Sequence, residues 1–111
     1  ENSFGRSKFR KLVERNGGKG TLYVIECFND TERFYKVGIT GNSTKVRFHG
    51  KRNMPYRYKI LKEITGDADF ILNMEKALHV RLGDYHYIPA IGFNGYKTEC
   101  FSRIGSLLNE Y

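Results

Sequence analysis

The sequence predicts a small α/β (α+β) domain, a largely antiparallel sheet flanked by helices, on three observations. Two β-rich runs, residues 21–28 and 34–40, flank the turn-forming stretch NDTE, the pattern of a hairpin. A further run, YRYKILKEI at 56–64, alternates well enough for a third strand. Between that run and the Tyr-rich segment lies GDADFILNMEKALHVRLGD, whose apolar residues recur at helical spacing. At 111 residues the chain fits one domain, long enough to bury roughly two-thirds of its unfolded surface.

Taken in order, residues 1–20 read as a basic linker or N-terminal extension, and 21–111 as the folded domain. SKFRKLVER places Phe9, Leu12 and Val13 at helical spacing, so a short helix is expected before the connector NGGKG. After the hairpin, GNST supplies capping residues for a helix near 43–51. In the long helix Asp67 or Asp69 is the cap, Phe70, Ile71, Met74, Leu78 and Leu82 form the buried stripe, and Gly83 is the stop. Residues 84–97, rich in Tyr, Gly and Pro, read as a loop or irregular strands. TECFSRIGSLLNEY predicts a short strand and a closing helix.

Hydrophobic residues make up 40% and aromatics 14%, which excludes a disordered basic tail. No run approaches the roughly 20 apolar residues that span a bilayer, and the polar, basic first twenty residues lack a secretion signal. A cytoplasmic location is expected. The chain does not begin with Met, so a piece of a longer protein or a processed chain is expected. The net charge of +7, with a pI near 9.5, favours a polyanionic partner, most simply nucleic acid. Cys27 and Cys100 have no metal-ligand spacing and read as reduced, buried residues.

The hairpin register decides which side chains meet. A symmetric five-residue loop, 29–33, would set Lys36 opposite Glu26 as a plain structural ion pair. A four-residue loop, 29–32, instead pairs Phe28 with Arg33 and Tyr23 with Gly38. Tyr23, Ile25, Cys27, Phe34, Lys36 and Gly38 then share one face. Leu22, Val24, Phe28, Tyr35, Val37 and Ile39 share the other, an apolar core face marred only by Glu26. This second register is the expectation. It puts Lys36 on the face away from the core, where its loss should remove no packing, and leaves room at Gly38 for a backbone or phosphate to approach.

Several strings carry a resemblance. LYVI on the first strand, FYKVGIT on the second, an arginine nine positions after Gly38, MPY, a helical glutamate in MEKAL, and TECFS together resemble the GIY-YIG nuclease family. The likeness covers residues 21–102 and is nearest to the phage homing-endonuclease branch. It implies a three-stranded antiparallel sheet flanked by helices and hydrolysis of DNA phosphodiesters with one divalent ion, Mg2+ or Mn2+. Position by position, Tyr23 matches the tyrosine of the first motif, Val37 and Gly38 the end of the second, Arg47 the family arginine, and Glu75 the metal-holding glutamate. Thr21 and Leu22 replace the first motif's glycine and isoleucine, and Lys36 stands where the second tyrosine usually is. Either Asn94 or Glu99 occupies the neighbourhood of the late asparagine.

Cleavage needs charge neutralisation at phosphorus, an activated water and help for the leaving oxygen. Glu75 would hold the metal, and its neighbours Ile71, Leu78 and Leu82 put it at the edge of the buried stripe. Arg47 can grip a nonbridging oxygen through its planar fork, with helix-terminal donors near Ser43. The base is Tyr23, made acidic by the Lys36 ammonium, or Lys36 itself, depressed by Arg47 and the metal. His79 would pair with Glu75 or join the site, and His49 is a reserve base. Lys45, Lys51 and Arg52 form a basic helix face suited to DNA phosphates, or simply a solvated one. The expected protein is a metal-dependent DNA endonuclease module acting on double-stranded DNA, monomeric, with target recognition elsewhere. The alternatives are an inactive DNA- or RNA-binding module of the same fold and a ribosome-associated basic domain.

Overall fold

The computed structural model describes residues 6–41, 44–50 and 53–106, with the Lys45 side chain left aside. In order these form α1 (Arg6–Arg15), β1 (Gly20–Phe28), β2 (Arg33–Thr40), the single turn α2 (Thr44–Arg47), β3 (Arg57–Gly66), α3 (Ala68–Arg81), a 3-10 turn (Gly83–Tyr85) and β4 (Cys100–Phe101). The strands make one antiparallel sheet in the order β3-β1-β2-β4. It is an α+β fold whose sheet has four strands where three were expected in it: the short strand expected in TECFS joins the sheet, Cys100 and Phe101 pairing with Lys36 and Tyr35.

The hairpin has the four-residue loop. Asn29 Oδ1 accepts from the backbone amides of Thr31 and Glu32, both at 2.9 Å, and the Asn29 amide donates back to the Glu32 carbonyl at 3.0 Å. A short polar side chain that satisfies its own turn in this way specifies the loop length. Phe28 therefore pairs with Arg33 and Tyr23 with Gly38. Glu26 lies opposite Tyr35 and binds Arg33 instead of Lys36, so the plain Lys36–Glu26 pair is excluded.

Both faces of the sheet are covered, which changes the expected environment of Lys36. On one face Leu22, Val24, Val37 and Ile39 pack against Phe9 and Val13 of α1 and Ile71, Leu72 and Leu78 of α3. On the other, Tyr23, Ile25, Cys27, Phe34 and Cys100 lie under Phe48, Met54, Tyr56 and Phe93. The face expected to point away from the core is thus a second core, and Lys36 within it has 0% exposure. Its aliphatic stem contributes to packing, so the expectation that its removal costs none does not hold.

Asp67 caps α3 by accepting from the Phe70 amide at 2.9 Å. Ile71, Leu78 and Leu82 of the expected stripe are buried and Met74 packs half-buried against the core, with one exchange at the start of α3. Leu72 is inside and Phe70 is 48% exposed, its ring lying over Gly66. Residues 6–15 of the expected extension form a helix with Phe9 and Val13 in the core. Ser102–Ser106 is not helical. The rest of the expected closing helix, Ser43, Lys51 and Arg52 lie outside the described residues. Cys27 and Cys100 are free and buried, and burial pushes both thiols up to about 12. Among the described residues no helix is long and apolar enough to cross a membrane.

Candidate active site

The outer edge of β2 is where the two faces communicate. A strand residue points its N–H and C=O to the same side. At Val37 both point outward: the amide donates to the Glu99 carbonyl at 3.0 Å, and the carbonyl accepts from His79 Nε2 at 2.8 Å. β4 spans only two residues, and the chain before it turns back through Gly95–Glu99. Side chains of α3 can therefore approach groups of the opposite face round this short edge.

Lys36 is the hub. Its ammonium donates to Tyr23 Oη and to Glu99 Oε1, each at 2.6 Å. Nζ lies 5.0 Å from the Tyr23 ring centroid. With the hydroxyl only 2.6 Å away, the ammonium sits beyond the oxygen, not over the ring face, and acts as a hydrogen-bond donor. Tyr23, opposite Gly38, is 1% exposed. The space above Gly38 is filled from inside: a Cβ there would meet Tyr23 Oη, and Glu99 Oε1 at 2.9 Å. That glycine makes room for this cluster and not for an incoming phosphate.

These contacts set the protonation states. Burial works to lower the Lys36 pKa, but Tyr23 and Glu99 outweigh it and the net shift is upward. Burial raises the Tyr23 pKa, and the opposing pull of Lys36 and Arg47 does not cancel it. The expected acidic tyrosine and the alternative depressed lysine are both absent from the free protein. Lys36 is an ammonium and Tyr23 a neutral phenol.

Glu75 projects from α3 with 4% exposure. Burial first, and the negative charge of Glu99 second, push its carboxyl up to about 7, with Lys36 pulling the other way. Among the described residues the basic side chain within ion-pair distance of it is His79, whose Nε2 lies 4.0 Å away, and that nitrogen is engaged by the Val37 carbonyl. Two carboxylates, Glu75 and Glu99, thus share one buried ammonium. With both carboxylates ionised they outnumber that ammonium, an imbalance that a proton on Glu75 or a bound cation would relieve.

Arg47 ends α2, close enough to Tyr23 to favour its ionised form. Its guanidinium carbon is 5.5 Å from the Phe48 ring centroid, and Phe48 meets Tyr23 edge-on at 5.1 Å. Among the described residues its Nε is buried without a hydrogen-bond partner. Thr44 fastens the start of α2 by donating to Glu63, the β3 residue opposite Tyr23. The helix-terminal donors expected near Ser43 lie outside the described residues.

The structure brings Tyr23, Lys36 and Glu75 to one place, with Arg47 on the Tyr23–Phe48 side. Glu99 joins them, while Asn94 is exposed. A glutamate inside the apolar string TECF was the available signal for Glu99, but nothing in sequence spacing pairs it with Lys36. His49 is exposed. No protein family, curated protein or solved structure matches the chain. Fold and site together describe an α+β domain with a buried tyrosine–lysine–carboxylate cluster at a sheet edge.

Proposed function

We propose that the chain is a nuclease domain of GIY-YIG type that hydrolyses phosphodiesters of double-stranded DNA with one divalent cation held at Glu75. The observation that supports this reading is the pair of carboxylates around one buried ammonium: Glu99 holds Lys36 at 2.6 Å, while buried Glu75 has only the His79 imidazole near it among the described residues, at 4.0 Å and already held by the Val37 carbonyl. The donor set fits Mg2+ or Mn2+, hard ions commonly bound through one or two carboxylates with water and phosphate oxygens completing the shell. When bound, such an ion supplies Lewis-acid assistance to the phosphate and its leaving oxygen.

The chain's own residues take the remaining parts. Arg47, with an unused donor at Nε, grips a nonbridging phosphate oxygen. Lys36 holds a hydrogen bond into Tyr23 Oη, which favours the ionised form of the phenol relative to an unpartnered one. Tyr23 is the group that meets the attacking water. The two acceptors at Lys36 favour its protonated form, which supports the part of donor to Tyr23 over that of base. The +7 charge supports a DNA partner through the phosphate backbone, and a phage-type homing endonuclease is the kind of protein such a module would serve.

A second reading, a DNA- or RNA-binding module without chemistry, is favoured by the near-complete burial of Tyr23 and Lys36. Plasmid relaxation separates the two. Wild-type protein should nick supercoiled plasmid with Mg2+ and not with chelator, and Glu75→Ala should bind DNA without nicking it. Intact DNA binding with no nicking in Mg2+ or Mn2+ would favour the second reading. Nicking by the variant at the wild-type rate would remove Glu75 from the metal's role.

A further inference from the structure

We propose that Glu99 is a positioning residue that clamps the Lys36 ammonium onto Tyr23 and keeps it from swinging onto Glu75, so that Glu75 remains open to a cation. The inference rests on the reading above. Its evidence is geometric. The buried Lys36 ammonium is held by Glu99 and is also felt by the buried Glu75 carboxyl, whose pKa it pulls downward. It makes a 2.6 Å ion pair with Glu99 and none within 4.0 Å with Glu75.

The fold holds Glu99 in that role from several sides. Its carbonyl accepts from the Val37 amide and its amide donates to the Gly95 carbonyl, both at 3.0 Å. Gly95 has φ +85°, and a Cβ there would meet Glu99 Oε1 at 2.8 Å. Gly38 closes the other side of the same oxygen. The backbone before Glu99 is in turn docked through Phe93, which stacks near Phe34 at 6.3 Å between centroids. Two glycines therefore surround one carboxylate oxygen, and the anchored backbone leaves the side chain a single direction.

An uncharged side chain of the same shape would lose the clamp. In Glu99→Gln the ammonium faces one remaining carboxylate, Glu75, and the cluster becomes neutral without any added ion. Lys36 then moves toward Glu75 and occupies the place of the cation.

The test uses the intact chain with 15N-lysine labelling and Mn2+ as the probe. In wild type the Lys36 ammonium should give a slowly exchanging signal, as a buried, doubly hydrogen-bonded group does, and Mn2+ addition should broaden it by its paramagnetism. In Glu99→Gln the signal should shift, and Mn2+ affinity should fall by roughly tenfold or more, a change of about 1.4 kcal/mol. Glu99→Asp, which keeps the charge, should recover part of that affinity. It also serves as the informative variant if Glu99→Gln does not fold. An unchanged Lys36 signal together with unchanged Mn2+ affinity in the variants would overturn the proposal. Because both readouts are independent of cleavage, wild-type protein that binds Mn2+ but cuts no DNA would sink the nuclease reading while leaving the role of Glu99 decided by these data.

Discussion

Lys36 is the residue on which the site's electrostatics turn. Replacing it by Met removes the ammonium and leaves Glu99 and Glu75 as buried, unbalanced carboxylates. Breaking a buried pair from one side is costly, so Lys36→Met should lose on the order of 3 kcal/mol in urea unfolding at pH 8. Part of the loss should return at pH 5, where a proton neutralises Glu75. A stability equal to wild type at pH 8 would show that the Lys36–Glu99 pair is solvated and weak. Gly38 is equally exposed to test. A methyl there would press on Tyr23 Cζ at 2.7 Å and on Glu99 Oε1 at 2.9 Å, both in a packed interior that cannot yield freely. Gly38→Ala should destabilise by about 1–3 kcal/mol and lower plasmid nicking steeply, whereas unaltered nicking would separate the cluster's geometry from function.

At the scale of elements, α1 is the least anticipated contributor. Phe9 is fully buried between α1, the sheet and α3. Truncating such a side chain costs about 3–5 kcal/mol. Phe9→Ala should therefore lower the thermal midpoint by several degrees, and an unshifted midpoint would make the helix a dispensable appendage. The hairpin was legible because its determinants are local: Asn29 closes its own turn, and alternation then assigns every side chain to a face. The long helix was legible from its cap and period, and its buried face too except at Phe70 and Leu72. Phe70 and Leu72 differ by which neighbour covers them, Gly66 or the sheet, and spacing alone carries no such information. The second core was hidden for a related reason. Its covering residues Phe48, Met54, Tyr56 and Phe93 come from aperiodic segments. They are held by contacts such as Glu32 accepting from Tyr56 and Tyr87, far apart in the chain. Tyr23, Arg47 and Glu75 were readable as candidates from motif order. The partnership of Lys36 with Glu99, 63 residues away, depends on β4 and could only be seen in the fold.

For the molecule as a whole, the unbalanced cluster predicts how stability responds to pH. Glu75 has a pKa of about 7 when folded and near 4.3 in an unfolded chain. The folded state therefore binds this proton more tightly than the unfolded state. Its contribution is fully present below about pH 4.3 and is lost as pH rises toward 7, with no further change above that. The difference in unfolding free energy between wild type and Glu75→Gln should shift by roughly 3 kcal/mol between pH 4 and pH 8, the variant gaining at the higher pH. A parallel pH dependence in the two proteins would mean that Glu75 is solvated or already paired.

The same imbalance is the ground for assigning a cation, and calorimetric titration with Mn2+ at pH 8 tests it most directly. The account predicts one binding site per chain in the wild type and none in Glu75→Gln, with the folded structure intact in both. Wild-type protein that takes up no Mn2+, or a Glu75→Gln variant that binds it with wild-type affinity, would contradict the account.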